Sequence, residues 1–259
     1  MIEEPYRWVE AIANRGEYIE TQLAEGSPIV AVGYRDGILF LTLGRTRQKL
    51  FEIYDRIAMG AIGHPGDIER LRMAAIELAS TEGFTRSAAD VSLRRLAHYS
   101  LSPVLKTAFE QVYGAPFLAR LLFAEVGGEQ EADLFLRLDY DGAIATNSGS
   151  FAQKRQDFGA VSGTRQSTEL MERFLTAEHS AGATFERAMK LALDAWTVGH
   201  LALGETGVKE LPARDKILTA RKERLRGAGV EAAILERSGK IAIRYRGLTE
   251  AEIRTALGD

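Results

Sequence analysis

At 259 residues, with 46% hydrophobic and 27% charged side chains, the chain can bury a sizeable core and has the composition of a globular protein, not a disordered one. Cysteine is absent, which removes disulfides, thiolate metal sites and a cysteine nucleophile; the four histidines (His64, His98, His179, His200) are scattered, so no metal or cofactor is expected. The net charge of −3 offers no footprint for nucleic acid, no apolar run reaches membrane-helix length, and the acidic start MIEEPYRWVEAIANRG lacks a signal-peptide core. The expectation is a soluble cytoplasmic protein with no nucleic-acid or membrane partner.

Residues 5–25 place Trp8, Val9, Ile12, Ile19 and Leu23 on one helical face, with Pro5 at the start and Gly26 past the end. Gly16 weakens the middle, so either one helix or a turn followed by a helix from Glu17 fits. Residues 28–43 then switch to strand chemistry: PIVAVGY and ILFLTL are joined by Arg35-Asp36-Gly37, a hairpin signal. KLFEIYD (49–55) and IAMGAIG (57–63) form a second pair, nearly continuously apolar, as in a sheet covered on both faces. A helix is predicted over 67–82 with Asp67 as N-cap. A longer one opens at Ser87 or Asp90 and runs to about Tyr113, kinked or ended early by Pro103.

Strands follow at 116–126 and 132–140, then a turn at Asp141-Gly142 into GAIAT, and a small-residue strand at 157–164. Helices are predicted from Ser167 to about Ala177 and from about Ala183 to Leu203. The chain closes with VEAAILER (230–237), a Ser238-Gly239 turn, KIAIRYR (240–246), and a helix opened by Thr249 with Glu252 three residues on as a capping box. Strands arrive in hairpin-joined pairs and helices arrive in pairs, unlike the alternation of a parallel sheet. The order predicts an α+β protein: a four-layer α-β-β-α sandwich of two antiparallel sheets flanked by helix pairs.

The strings GSPIVAVGYRDGILFLT (26–42), KLFEIYDRIAMGAIGHPGD (49–67) and LRMAAIELA (71–79) resemble the opening of a 20S proteasome subunit. That family shows a first hairpin, a lysine heading the next strand, an apolar strand ending in glycine, and a helix start bearing aspartate. VSGT (161–164) before a long helix, and VEAAILER followed by KIAIRYRGLTEAEIRTAL (240–257), match its closing helix–hairpin–helix. The resemblance runs over nearly the whole chain. It implies one proteasome-type domain over 1–259 with the N-terminal nucleophile hydrolase fold.

EYIETQLAEGS (17–27) before the first strand resembles the α-type pattern, in which residues 1–26 are an uncut extension carrying the helix on top of the ring. The short extension is most similar to actinobacterial α-type subunits. Such subunits are not enzymes. The resemblance implies a homoheptameric ring that gates the entry of unfolded protein substrates, stacks on a proteolytic β-type ring and receives the C-terminal tails of an AAA+ ATPase activator. Lys49 matches the lysine of the activator-docking pocket between neighbouring subunits, Gly63 the pocket glycine, and Glu17 the acidic residue near it. A lysine suits a single carboxylate as a point charge. The plainer account of Lys49 is a solvated strand-end lysine in a weak surface pair.

Catalytic members of this fold expose an N-terminal nucleophile assisted by a lysine and an acidic residue. Ser27 and Lys49 stand at the first two positions, which defines the rival: a self-compartmentalising hydrolase processed at Gly26–Ser27. Against it, Pro28 follows Ser27 and Leu43 stands where the acidic residue is needed, so no catalytic residue is assigned; Thr21 has no better claim. An α-like ring without a β partner is a further alternative. Residues 205–228, longer than expected before the final hairpin, carry seven basic against three acidic residues between Lys209 and Arg226. They read as a solvated helix or flexible loop, or as a partner-docking surface. His64 reads as a turn residue, and Trp8 and Trp196 as packing in the core or at a ring contact.

Overall fold

A computed structural model describes residues 5–44, 47–111, 113–128, 131–146, 156–205, 207, 210–239 and 242–258. Strands β1 (Ile29–Tyr34) and β2 (Gly37–Gly44) form the predicted hairpin, in register from Ile29 opposite Thr42 to Tyr34 opposite Gly37. β3 (Leu50–Tyr54) and β4 (Ile57–Gly63) form the second pair. β5 (Ala119–Glu125), β6 (Leu134–Leu138), β7 (Ile144–Thr146), β8 (Phe158–Val161), β9 (Gly229–Glu236) and β10 (Tyr245–Gly247) complete two antiparallel five-stranded sheets, ordered β10-β9-β2-β1-β8 and β3-β4-β5-β6-β7.

The period-2 alternation of the strands sorts their side chains into three apolar layers. Ile29, Ala31, Ile38 and Phe40 of the first sheet meet Ala58, Ile62, Leu122 and Phe135 of the second in the central layer. Val30, Val32, Leu39, Leu41 and Leu43 face outward, under α5 (Arg165–Glu178), α6 (Phe185–Ala202), α7 (Arg214–Leu225) and α8 (Glu250–Leu257). Ile57, Met59, Leu121 and Phe123 face the other way, under α2 (Pro65–Thr85), α3 (Leu93–Arg95) and α4 (Ser102–Glu110). The predicted α-β-β-α sandwich is the observed architecture.

Helix boundaries differ from the expected ones where two capping signals compete. α2 begins at Pro65 with His64 in the capping position, since proline at the first turn forfeits no hydrogen bond. Asp67 therefore is not the N-cap; its carboxylate accepts the Leu118 N–H at 3.0 Å and ties α2 to the strand behind it. The long helix expected from Ser87 or Asp90 to about Tyr113, with its interruption at Pro103, is divided further upstream as well. Ser87 caps a 3₁₀ turn, Ser92 caps α3, and a π-helical stretch Leu96–Leu101 leads into α4. Pro103 has no N–H to donate, and the wider loop closed by Ser102 N–H on the Ala97 carbonyl admits it. Thr164 caps α5, which starts two residues before the predicted Ser167; of the final strand expected over 240–246, residues 240–241 lie outside the described residues, and the described part is strand only from Tyr245, in Tyr245–Gly247. The Thr249–Glu252 capping box is present as predicted.

The basic segment 205–228 contains α7, which packs on α6. Ile217 enters the outer core, and Asp194 of α6, 3% exposed, receives Arg221 at 2.8 Å and Arg214 at 3.2 Å. Part of its positive charge is thus spent on one buried carboxylate. Trp196 is buried in the same layer, whereas Trp8 is 49% exposed.

Helix α1 (Pro5–Leu23) runs unbroken through Gly16, which lies against Tyr140 and Phe109. Ile19 and Leu23 pack with Tyr140, Phe109 and Leu118. Beside them Arg120 of β5, 2% exposed, donates to Glu20 at 2.6 Å, to Asp139 at 3.0 Å and to the Gly163 carbonyl at 2.6 Å. The Tyr140 phenol also donates to Glu20, at 2.9 Å. Arg120→Met takes the buried cation from Glu20 and Asp139 and leaves them the more exposed Arg165, at 3.3 and 3.8 Å, so chemical denaturation should show a loss of about 2–3 kcal/mol. A loss below about 1 kcal/mol would mean that α1 is held by its apolar face alone.

Candidate functional site

The end of α1, the start of β3 and the end of β4 meet around one cleft of about 570 Å³. Glu25, Gly26 and Ser27 form one wall, Arg47, Gln48, Lys49 and Phe51 another, and Ala61, Ile62, Gly63, Pro65, Ile68 and Glu69 the rest. Lys49, Gly63 and Ser27, singled out from sequence, therefore line a single cavity. Glu17 does not: it is exposed on α1, its backbone carbonyl taking the Thr21 hydroxyl at 2.9 Å. His64 is the expected turn residue, next to the lining residue Pro65.

Each wall is positioned by backbone constraints. Gly26 donates to the Leu23 carbonyl at 2.8 Å and accepts from Gly163 at 3.0 Å. A methyl group on Gly26 would stand 2.1 Å from Ile62, so only glycine lets α1 end this close to β4. Gly63 has φ +136°, and a methyl group there would lie 1.9 Å from the Leu118 carbonyl oxygen. Gly63 is first a requirement of the fold and only then a lining residue.

Lys49 is half-buried, its stem passing Gly44. Among the described residues its ammonium has no carboxylate oxygen within 4 Å. Burial holds its pKa below the usual lysine value, and the negative charge of Glu231 opposes that fall. Glu231 of β9 is the neighbour that sequence reading missed. Its carboxylate accepts the backbone N–H of Lys49 at 3.0 Å and of Leu50 at 2.9 Å. Burial raises its pKa, and those two N–H donors and the Lys49 charge work the other way. No local motif marks Glu231; it reaches Lys49 because β9 lies beside β2, with Glu231 opposite Thr42.

The arrangement lacks the parts of a nucleophile. The Ser27 hydroxyl donates to the Leu43 carbonyl at 2.8 Å and bonds neither Lys49 nor a carboxylate. Leu43 also enters differently from the expectation, because its side chain faces the helix layer, away from the space between the sheets. The β2 residue of the inward parity at this end is Thr42, whose hydroxyl donates to the Pro28 carbonyl at 2.7 Å. No acidic side chain is present at either position. The described residues hold no cluster of metal-ligating groups and no helix long and apolar enough to cross a membrane.

Two antiparallel sheets face to face between helix layers, with a lysine heading β3 beside the start of β1, define the sandwich of the N-terminal nucleophile hydrolases. The family model described as proteasome subunit matches residues 23–198, and the chain belongs to the proteasome subunit family. Three relatives each bear the name proteasome subunit alpha. The one from Streptomyces griseus is 36% identical over 72% of this chain and 65% of its own length. The one from Nocardioides sp. is 29% identical over 96% and 87%, and the one from Xylanimonas cellulosilytica 33% over 88% and 85%. This chain thus spans just under two thirds of the Streptomyces griseus relative.

Gly63→Ala is expected to cost about 2 kcal/mol or more, from strained φ and the clash with Leu118. Calorimetric melting of the purified variant checks this, and an unchanged midpoint would contradict the geometry.

Proposed function

We propose that this chain is a non-catalytic α-type subunit of a bacterial proteasome, with 1–259 as one proteasome-type domain. Seven copies form the outer ring, which gates the entry of unfolded proteins, supports a proteolytic β-type ring and docks an ATPase activator. The observation that carries the docking role is the half-buried Lys49 ammonium, without a carboxylate partner among the described residues, in a cleft walled by Phe51, Ala61, Ile62 and Ile68. A half-buried ammonium beside apolar walls, with Arg47 exposed at the rim, suits one carboxylate preceded by apolar side chains, as at the end of a protein tail. A solvated surface lysine would show neither the burial nor the apolar walls.

Gly63 contributes the close backbone turn of the cleft mouth. Glu17 enters this reading through the neighbouring copy, since the docking pocket of the family lies between subunits. Among the described residues the Ser27 hydroxyl is engaged by the Leu43 carbonyl and no acidic side chain stands at Thr42 or Leu43, which supports a structural role over bond cleavage. Ring formation by a heterologous contact that closes on itself requires an exposed face, and Trp8 and Val9 at the start of α1 provide one.

A labelled peptide ending in a hydrophobic residue, tyrosine and one further residue should bind the assembled ring, and Lys49→Ala should weaken it by about tenfold or more, about 1.4 kcal/mol. Amidation of the peptide terminus should have the same effect. Equal binding by wild type and variant would remove the docking role. Intact mass separates the hydrolase rival: loss of residues 1–26 with serine at the new terminus would favour it, whereas a retained extension and a stacked particle on co-expression with a β-type subunit support the scaffold.

A further inference from the structure

The start of β3 is held from outside its own sheet. β3 is an edge strand, so one side of its backbone has no ladder partner. The Lys49 carbonyl accepts the Ala61 N–H of β4 at 3.0 Å, which uses the inner side. The N–H groups are met by the opposite sheet: Glu231 accepts those of Lys49 and Leu50 at 3.0 and 2.9 Å. The Leu50 carbonyl takes the local Gln48 side-chain amide at 2.8 Å and the Tyr245 phenol of β10 at 3.1 Å. Glu231 is thus the side chain that satisfies both N–H groups of the strand end from which Lys49 enters the cleft.

We propose that Glu231 is the positioning residue of the Lys49 cleft: its carboxylate fixes the main-chain N–H groups of Lys49 and Leu50, so that a carboxylate-ended protein tail meets a preset cation. This rests on the docking reading above. A backbone held by charge-assisted hydrogen bonds loses less freedom when ligand binds, which is where preorganisation raises affinity. Glu231 does this without occupying Lys49, because its oxygens are engaged by main-chain N–H and no ion pair with the ammonium forms within 4 Å among the described residues.

The other groups around Lys49 are accounted for. Glu25 at the end of α1 and Arg47 before β3 are exposed at the cleft rim, and Glu69 of α2 is bound to Arg72 at 2.8 and 2.7 Å. The Tyr245 phenol is pushed up to about 12, by burial first and then by Glu231 and Glu52, and stays neutral at physiological pH. Burial lowers the Lys49 pKa, and Glu231 is the group that counters it. Binding of a carboxylate should therefore fail as pH rises through the Lys49 pKa, and should fail at lower pH when the Glu231 charge is removed.

The test uses the assembled full chain and a labelled peptide ending leucine–tyrosine–alanine with a free carboxylate, titrated from about pH 6 to about pH 10 across the lysine range. Glu231→Gln keeps an acceptor oxygen, so near neutral pH it should bind close to wild type, with the alkaline loss of binding displaced to lower pH. Glu231→Ala removes the acceptor too and should weaken binding at neutral pH by about tenfold or more, as expected for lost charge-assisted hydrogen bonds. Amide exchange at Lys49 and Leu50 should accelerate in the same variant. A purely structural role would lower the melting temperature and leave both the affinity and the pH profile of the folded protein unchanged, and that result overturns the proposal. If Glu231→Ala does not fold, the alkaline limb of Glu231→Gln decides alone. Wild-type binding that Lys49→Ala abolishes, with superimposable Glu231 curves, sinks this proposal and leaves docking intact; no wild-type binding at any pH ends both.

Discussion

The cleft exists where α1 stops, and one buried guanidinium determines where that is. Arg120 joins Glu20 of α1, Asp139 after β6 and the Gly163 carbonyl between β8 and α5. Desolvating an arginine this completely is unfavourable unless its donors are met, and here two carboxylates and a carbonyl meet them. Gly163 in turn donates to the Gly26 carbonyl, so the same network carries over to the residue that precedes Ser27. The helix end, the first strand and the cleft wall thus share one support, reached by residues about a hundred positions apart in the chain.

The same use of charge recurs at two other places where elements register. Arg237 after β9 binds Asp133 through two hydrogen bonds of 2.8 Å, and Asp133 also accepts the Gly127 N–H at 2.9 Å. Asp194 gathers Arg214 and Arg221, which docks the basic segment onto α6. In each case a carboxylate that is at most 5% exposed specifies which side chains lie against it, because any other register would leave it desolvated and unpaired. Apolar layers alone would tolerate sliding.

Much of the sandwich was legible in the chain. The Arg35-Asp36-Gly37 turn, the apolar β3–β4 pair and the Thr249–Glu252 capping box each act through neighbours in sequence, and each appears as expected. Errors arose where a local pattern met a competing local rule. Leucines at helical spacing over 87–113 conceal the separate caps at Ser87 and Ser92, whereas the interruption expected at Pro103 falls where the π-helical stretch meets α4, and Pro65 displaces Asp67 as the start of α2. Of the two readings that Gly16 leaves open, the single helix is the observed one, because Ile19 and Leu23 bury against Tyr140 and Phe109 and outweigh about 1 kcal/mol of glycine cost. Of the site, Lys49, Gly63 and Ser27 were readable through their places at strand ends.

By itself the sequence determined the alternation that makes two covered sheets, the pairing of hairpins and the lysine at the head of β3, since these depend on side-chain period and turn chemistry. Tertiary structure alone decided that Leu43 turns to the helices, that Glu17 lies outside the cleft of its own chain, and that Glu231 and Tyr245 hold the edge of β3. The reason is range. Strand parity and caps act over one to four residues, whereas the partner of an edge-strand N–H is whichever polar group the opposite sheet brings within hydrogen-bond distance, here one 182 positions away.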